Sequence, residues 1–381
     1  MPGAEAGQRS GAKLLNVLVV DDSAVVRQTV KLLFSKDRGV EVTAAADPLI
    51  AQKKMARTRP DVILLDLEMP HMDGLTFLGK IMEEDPIPVV VCSGYAGPGT
   101  EMALKALEQG AVEVIAKPSL GVRDFLEESA VQLRETIKGA ALAKLKRRVA
   151  KGGAMPSLVR QMPTAIPRPA PKPAPLPKLA PTPSISGDRV VVIGASTGGT
   201  EALRVVLGAI PEDGPPILIV QHMPEGFTAA FAERMNASCR IRVKEAEDGD
   251  EIRRGQAIIA HGNRHMAIRK RGAGYVVESY MDEPVLRHRP SVAVLFESAA
   301  RVLGPKAVGV MLTGMGADGA EAMLRMKEAG ATNIAQNEAT SVVFGMPKEA
   351  IDRGAVHRVV ALHSVAGAIL QFANYRSGDN N

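Results

Sequence analysis

Tryptophan is absent from the 381-residue chain, and aromatic residues make up only 3% of it. Surfaces that stack nucleic-acid bases are built from aromatic rings, so the sequence offers little for that role. Cysteine is scarce as well. Cys92 and Cys239 stand 147 positions apart and no Cys-x-x-Cys pair occurs, which excludes a disulfide framework. Long apolar runs are missing too. Stretches such as Val17–Val20 and Val62–Leu65 fall well short of the roughly 20 residues a membrane-spanning helix needs. The N-terminus, MPGAEAGQRSGAK, is polar and carries Glu5, so it does not read as a secretory signal. A cytoplasmic, reducing location is the expectation. What remains is ordinary globular protein, 46% apolar and 23% charged. The length predicts two or three domains, each long enough to bury a core.

Charge of one sign is missing from a single region. Between Thr136 and Gly187 there are ten Lys or Arg and no Asp or Glu. The net charge of +5 therefore belongs to this segment, and the rest of the chain sums to −5. The segment also holds ten prolines in the 28 residues Pro156–Pro183. Proline lacks a backbone donor and fixes φ, so helix and central strand are both excluded, and an extended spacer is expected. A proline-rich docking peptide is the less favoured alternative. The basic run Lys144–Lys151 is read as a solvated helix end.

Both flanking halves alternate short β-branched runs with amphipathic stretches, the pattern of α/β units with parallel strands. The first half predicts strands at Leu15–Val20, Val40–Ala45, Val62–Asp66, Val89–Cys92 and Val112–Ala116, with a helix after each. The second half predicts strands at Arg189–Ile193, Pro216–Val220, Gln256–Ala260, Tyr275–Glu278, Val308–Leu312, Thr332–Ala335 and Arg358–Ala361. Helices fit Thr200–Leu207, Ala229–Met235, Val292–Leu303, Gly319–Ala329 and Lys348–Arg353.

Ligands of parallel α/β sheets sit at the carboxyl ends of the strands. In the first half Asp21 and Asp22 end strand one, and Asp66 ends strand three. Ser93 follows strand four, and Lys117-Pro118 follows strand five. Taken singly, each Asp is a strand-end turn former. Taken together, three carboxylates in one place call for a hard divalent cation such as Mg²⁺, with a Lys and a Ser ready for phosphoryl oxygens. On this set, residues 14–138 resemble a receiver domain of two-component response regulators, a flavodoxin-like fold with a five-stranded parallel sheet. The resemblance implies that Asp66 accepts the phosphoryl group and that Asp22 ligates Mg²⁺ directly. It implies that Asp21 acts through water and that the Glu68 carbonyl completes the protein ligands. Ser93 and Lys117 would sense the phosphoryl group, and the Lys117–Pro118 bond would be cis. A CheA-type histidine kinase would be the phosphodonor. One departure is Val114, where receivers usually carry an aromatic switch residue.

The first strand of the second half runs into Gly194-Ala195-Ser196-Thr197-Gly198-Gly199 and then a helix. A serine on such a turn is exposed at the sheet edge, beside N–H groups that favour developing anions. The string fits G-x-S-x-G, a weak signal alone, and it is not the dinucleotide pattern G-x-G-x-x-G. A serine nucleophile needs a base and the base an orienter. His222 follows the next strand, 26 residues after Ser196, and Asp318 lies in the Gly-rich turn after Val308–Leu312. Their chain order, Ser…His…Asp, differs from that of the α/β-hydrolases. The pair His261 and His265 has metal-like spacing, but Gly262-Asn263 between them reads as a turn. His288 sits in RHRPS as a substrate contact or a loop residue, and His71, His357 and His363 have no companions.

Six longer strings support a second resemblance: GASTGG, QHMPEGFTAAFAERMN, EAEDGD, RHRPSV, MLTGMGADG and SVVFGMPKEAI. On these, residues 189–370 resemble the CheB family of chemotaxis methylesterases. The expected organisation is a receiver at 14–138, a basic Pro-rich linker at 139–188 and a doubly wound α/β esterase at 189–370. The resemblance implies Ser196 as nucleophile, His222 as general base and Asp318 as its orienter, with Met315 helping to hold the oxyanion and Thr197 flanking the site. It implies hydrolysis of glutamyl methyl esters, and deamidation of selected glutamines, on cytoplasmic helices of chemoreceptors. No cofactor is expected for the ester reaction, no nucleic-acid partner and no membrane insertion; a monomer is expected. The unphosphorylated receiver is expected to cover the esterase edge. Ala293 departs from the family, which usually has Asp there, and an effect outside the chemistry is expected. The rival reading is a response regulator whose second half only binds, without catalysis.

Overall fold

A computed structural model describes residues 14–69, 73–94, 98–117, 123–143 and 189–374. The Pro-rich stretch, the basic run at 144–151, His71 and Pro118 lie outside these residues, and with Pro118 the expected cis bond.

The first half folds as β1 (Leu15–Val20), α1 (Ala24–Phe34), β2 (Val40–Ala45), α2 (Pro48–Met55), β3 (Val62–Asp66), α3 (Gly74–Glu84), β4 (Val89–Ser93), α4 (Pro98–Gln109), β5 (Glu113–Ala116) and α5 (Arg123–Ala141). The sheet has the order β2-β1-β3-β4-β5 and is parallel throughout. Every residue of β3 and β4 is buried, which is why these strands read as unbroken apolar runs. Helix starts are marked by polar caps. Asp47 accepts from the Ile50 N–H at 2.7 Å, and Asp73 from the Thr76 N–H at 2.7 Å. The strand order reverses between β1 and β3, so the crevice opens where Asp21, Asp22 and Asp66 emerge.

The second half continues with β6 (Val190–Ala195), α6 (Gly199–Gly208), β7 (Ile217–Gln221), α7 (Phe227–Ser238), β8 (Arg242–Glu245), β9 (Gln256–Ile259), β10 (His265–Arg271) and β11 (Gly274–Tyr280). It ends with α8 (Val292–Val302), β12 (Ala307–Met311), α9 (Ala320–Glu328), β13 (Thr332–Gln336), α10 (Met346–Asp352), β14 (Arg358–Val360) and α11 (Leu362–Phe372). A seven-stranded parallel sheet has the order β14-β13-β12-β6-β7-β9-β8. Separate apolar clusters fill its two faces. The order reverses at β6, with β7 on one side and β12 on the other, so a second crevice opens above these three strands.

Three elements were not legible in the sequence. β8 is a short edge strand with one buried residue, so it shows no apolar run. β10 buries its first four residues and exposes Arg269, Lys270 and Arg271, which hides its pattern. It pairs antiparallel with β11, apart from the main sheet. Helix α11 is built from small residues between larger ones, Val365, Ala366, Ala368 and Ile369 being buried.

Candidate functional site

The two crevices hold different chemistry. In the first, Asp21 and Asp66 are buried, and carboxylate oxygens of Asp21, Asp22 and Asp66 lie within 4.8 Å of one another. The Lys117 ammonium donates to Asp66 Oδ2 at 2.7 Å, and the Glu68 N–H donates to Asp66 Oδ1 at 3.0 Å. Burial raises the Asp66 pKa against these two bonds. Burial also lifts Asp21 to about 6, against the Ser23 N–H, with Asp66 adding repulsion. Asp21 Oδ2 is buried with no protein donor. An acceptor left bare among like charges fits a divalent cation, whose oxygen ligands would be these carboxylates. Ser93 is buried at the end of β4, and its carbonyl accepts from the Lys117 N–H at 2.9 Å.

In the second crevice β6 delivers Ser196, β7 delivers His222, and the loop after β12 delivers Asp318. Each is buried, and all three line one cavity of about 460 Å³. The Ser196 N–H donates to the Thr313 carbonyl at 3.0 Å, tying the end of β6 to the end of β12. Gly198 turns the chain with φ +76°, and a Cβ there would collide with Val342, so glycine is required. His222 Nε2 lies 2.8 Å from Asp318 Oδ2. Its Nδ1 is buried and has no hydrogen-bond partner. Asp318 accepts three further bonds: from the Ser291 hydroxyl at 2.8 Å, the Val292 N–H at 2.7 Å and the Ala293 N–H at 3.0 Å. The last two come from the first turn of α8, so a helix N-terminus supports the charge. Burial opposes ionisation of Asp318, but the His222 bond and these donors prevail and the pKa falls below its usual value.

Sequence reasoning missed the surroundings of these groups. His288 stacks on His222, with ring centroids 3.9 Å apart and planes 10° apart. Burial, then the neighbouring His222, lower its pKa, so it is a neutral ring whose Nδ1 donates to the Leu286 carbonyl at 2.7 Å. Gln221 bonds the Ser196 and His222 carbonyls through one amide nitrogen, at 3.1 and 3.0 Å. Ser291 could have been found as the N-cap position before the apolar run of α8. Ala293 stands nearer the site than expected, its backbone N–H being part of the Asp318 cradle. His265 lies on β10 and bonds the Glu283 carbonyl at 3.0 Å, and His261 shares no metal-competent cluster with it among the described residues. His357 Nδ1 accepts from the Asn333 N–H at 3.0 Å, a structural role.

The first half covers this crevice. α4 packs on α6 and α7, and Leu104 and Leu107 join the apolar cluster that holds Phe231 and Met235. The Gly198 N–H, beside the nucleophile, donates to the Val112 carbonyl at 3.2 Å. The buried Glu113 carboxyl bonds the Thr197 side chain. Burial pushes its pKa up to about 8, against the Thr197 hydroxyl and the Val114 N–H. Among the described residues two ion pairs cross the boundary, Glu108 with Arg234 and Glu135 with Arg287.

A family profile described as response regulator receiver domain matches residues 17–128, and one described as CheB methylesterase matches residues 191–369. A "Protein-glutamate methylesterase/protein-glutamine glutaminase 1" of Anaeromyxobacter dehalogenans is 56% identical over 94% of this chain and 99% of its own. The chain belongs to the CheB family. A family member from Geobacter metallireducens, numbered 3 under the same name, is 53% identical over 94% of this chain and 99% of its own. The crystal structure of the Thermotoga maritima CheB methylesterase catalytic domain is 36% identical, covering 49% of this chain and 99% of that one with a TM-score of 0.48. Both domains of a CheB protein, a receiver and a methylesterase domain, are therefore present here in that order.

Proposed function

We propose that this CheB-family chain is a phosphorylation-regulated protein-glutamate methylesterase, acting on chemoreceptor helices and also deamidating selected glutamines. The observation that carries the reading is His222, bonded to Asp318 through Nε2, its Nδ1 without a partner, and lining one cavity with Ser196. Asp318 holds the imidazole with its proton on Nε2, which makes Nδ1 the base. Ser196 Oγ attacks the glutamyl carbonyl as Nδ1 takes its proton. Among the described residues no acceptor takes the Met315 N–H, which supports its use for the oxyanion. The proton returns to the leaving methoxide, methanol departs, and water attacks the acyl-serine by the same route to give free glutamate. For a glutamine the leaving group is ammonia.

In the receiver, Asp66 is the phospho-acceptor, fed by a CheA-type histidine kinase. Asp22, Asp66 and the Glu68 carbonyl would hold Mg²⁺, with Asp21 acting through water, and the cation would neutralise phosphoryl oxygens. Lys117 and Ser93 receive the phosphoryl oxygens. The receiver blocks the crevice until phosphorylation shifts the population to an open form.

Methanol release from methylated receptor membranes tests this, with and without a small phosphodonor and Mg²⁺. Release should rise with phosphodonor, fall by several orders of magnitude in Ser196→Ala, and lose its response in Asp66→Asn. A folded wild-type chain that releases no methanol from verified substrate overturns the esterase reading.

A further inference from the structure

Helix α5 of the receiver lies along the mouth of the catalytic crevice. Leu133, Glu135 and Thr136 line the same cavity as Ser196 and His222. One turn after Glu135, on the same helix face, Gly139 packs against the Met315 side chain so closely that a Cβ would collide. Met315 borders that cavity too. Along this face a glutamate carboxylate is thus gripped at one level, and the helix comes against the wall of the reaction site one turn later.

The grip is Arg287, at the tip of an unusual turn. Val285 and His288 exchange backbone hydrogen bonds of 3.1 and 3.0 Å, closing a two-residue turn over Leu286 and Arg287. Both have positive φ, 50° and 66°, where Asn or Gly is the usual occupant. Leucine and arginine are unfavourable there, and such strain clusters at functional sites. The turn carries His288 against His222 on one side and sends Arg287 to the mouth on the other. Among the described residues, Glu135 of the receiver is the only ion-pair partner of Arg287. When the receiver lifts, a guanidinium is left beside the crevice, next to exposed Leu286 and Val285.

Building on the methylesterase reading, we propose that α5 occupies the groove of the substrate helix, and that Arg287 is a specificity-determining residue reading a free carboxylate one turn from the reacting ester. A methyl ester is neutral and does not need a guanidinium. The planar fork of an arginine suits a carboxylate. A helix bearing a glutamyl ester and a glutamate four positions away matches the face that α5 presents. The receiver helix prevails when docked because it is tethered to the site it covers.

The test uses the full chain with phosphodonor and Mg²⁺. Its substrates are receptor cytoplasmic fragments methylated at one site, with Glu or Gln four residues before or after it. Arg287→Gln should raise KM about threefold to fivefold for the Glu fragment in one of the two directions, the loss of a partly exposed ion pair. It should leave kcat, and KM for the Gln fragments, unchanged. Arg287→Glu should raise it further and recover on a fragment with Lys at that position. Without phosphodonor, Arg287→Glu should raise basal turnover, and adding Glu135→Arg should restore repression. Equal KM values for Glu and Gln fragments in wild type and both variants overturn the proposal while the esterase reading stands. If wild type hydrolyses none of the fragments, the esterase reading fails, and this proposal with it.

Discussion

Asp318 gathers four donors on two oxygens, and one of them is the imidazole it orients. The other three fix the carboxylate before His222 arrives. In Asp318→Asn the NH₂ end that faces Nε2 donates to it, and it leaves the Val292 N–H, which shared that oxygen, without an acceptor. The imidazole then carries its proton on Nδ1 and is no longer a base towards Ser196. Asp318→Asn should lower kcat on the order of 10⁴-fold with little change in KM, measured as methanol release. At this scale the sequence was most legible, because Ser196, His222, Asp318 and Asp66 stand next to strand ends that apolar runs reveal. The sequence leaves His288 between substrate contact and loop residue and gives Ser291 no role, because their contacts span 66 and 27 residues of chain.

At the scale of elements, Gln221 joins β6 to β7. Its amide nitrogen serves two backbone carbonyls, those of Ser196 and His222. Both acceptors are carbonyls, so the group facing them must be the NH₂ end. In Gln221→Met, similar in size, the His222 carbonyl would be left buried without a donor, while the Ser196 carbonyl keeps the Gly199 N–H. Such a loss costs about 1–3 kcal/mol. The variant should unfold at a lower temperature and lose about tenfold in kcat, with KM nearly unchanged. Thermal unfolding and single-turnover kinetics on one sample would separate the two effects. The parallel order of the strands was visible because buried β3, β4, β6 and β7 are continuous apolar runs. The β10–β11 hairpin was not, since its basic end masks the alternation.

At the scale of the whole molecule, receiver and esterase are closed around Glu113. Its carboxyl, ordinarily near 4.5, is pushed up to about 8 by burial in the closed form. A raised carboxyl favours the closed form fully below about 4.5, and that contribution is lost as pH rises towards about 8. Basal turnover without phosphodonor should therefore climb across this window, relative to the phosphorylated chain at each pH. Glu113→Gln keeps a neutral hydrogen-bonding group and should flatten that ratio. A ratio equally steep in the variant would remove Glu113 from the gate. The sequence predicted a receiver over the esterase edge, but not this carboxyl, because nothing in the run Val112–Ala116 shows which residue meets the other domain.

Closing over Glu113 also makes the chain an acceptor of hydrogen ions. Near neutral pH the docked carboxyl holds a proton and the freed one gives it to water. Opening and protonation are therefore linked: acid holds the receiver on the crevice, alkali frees it, and the crevice opens with the release of a proton.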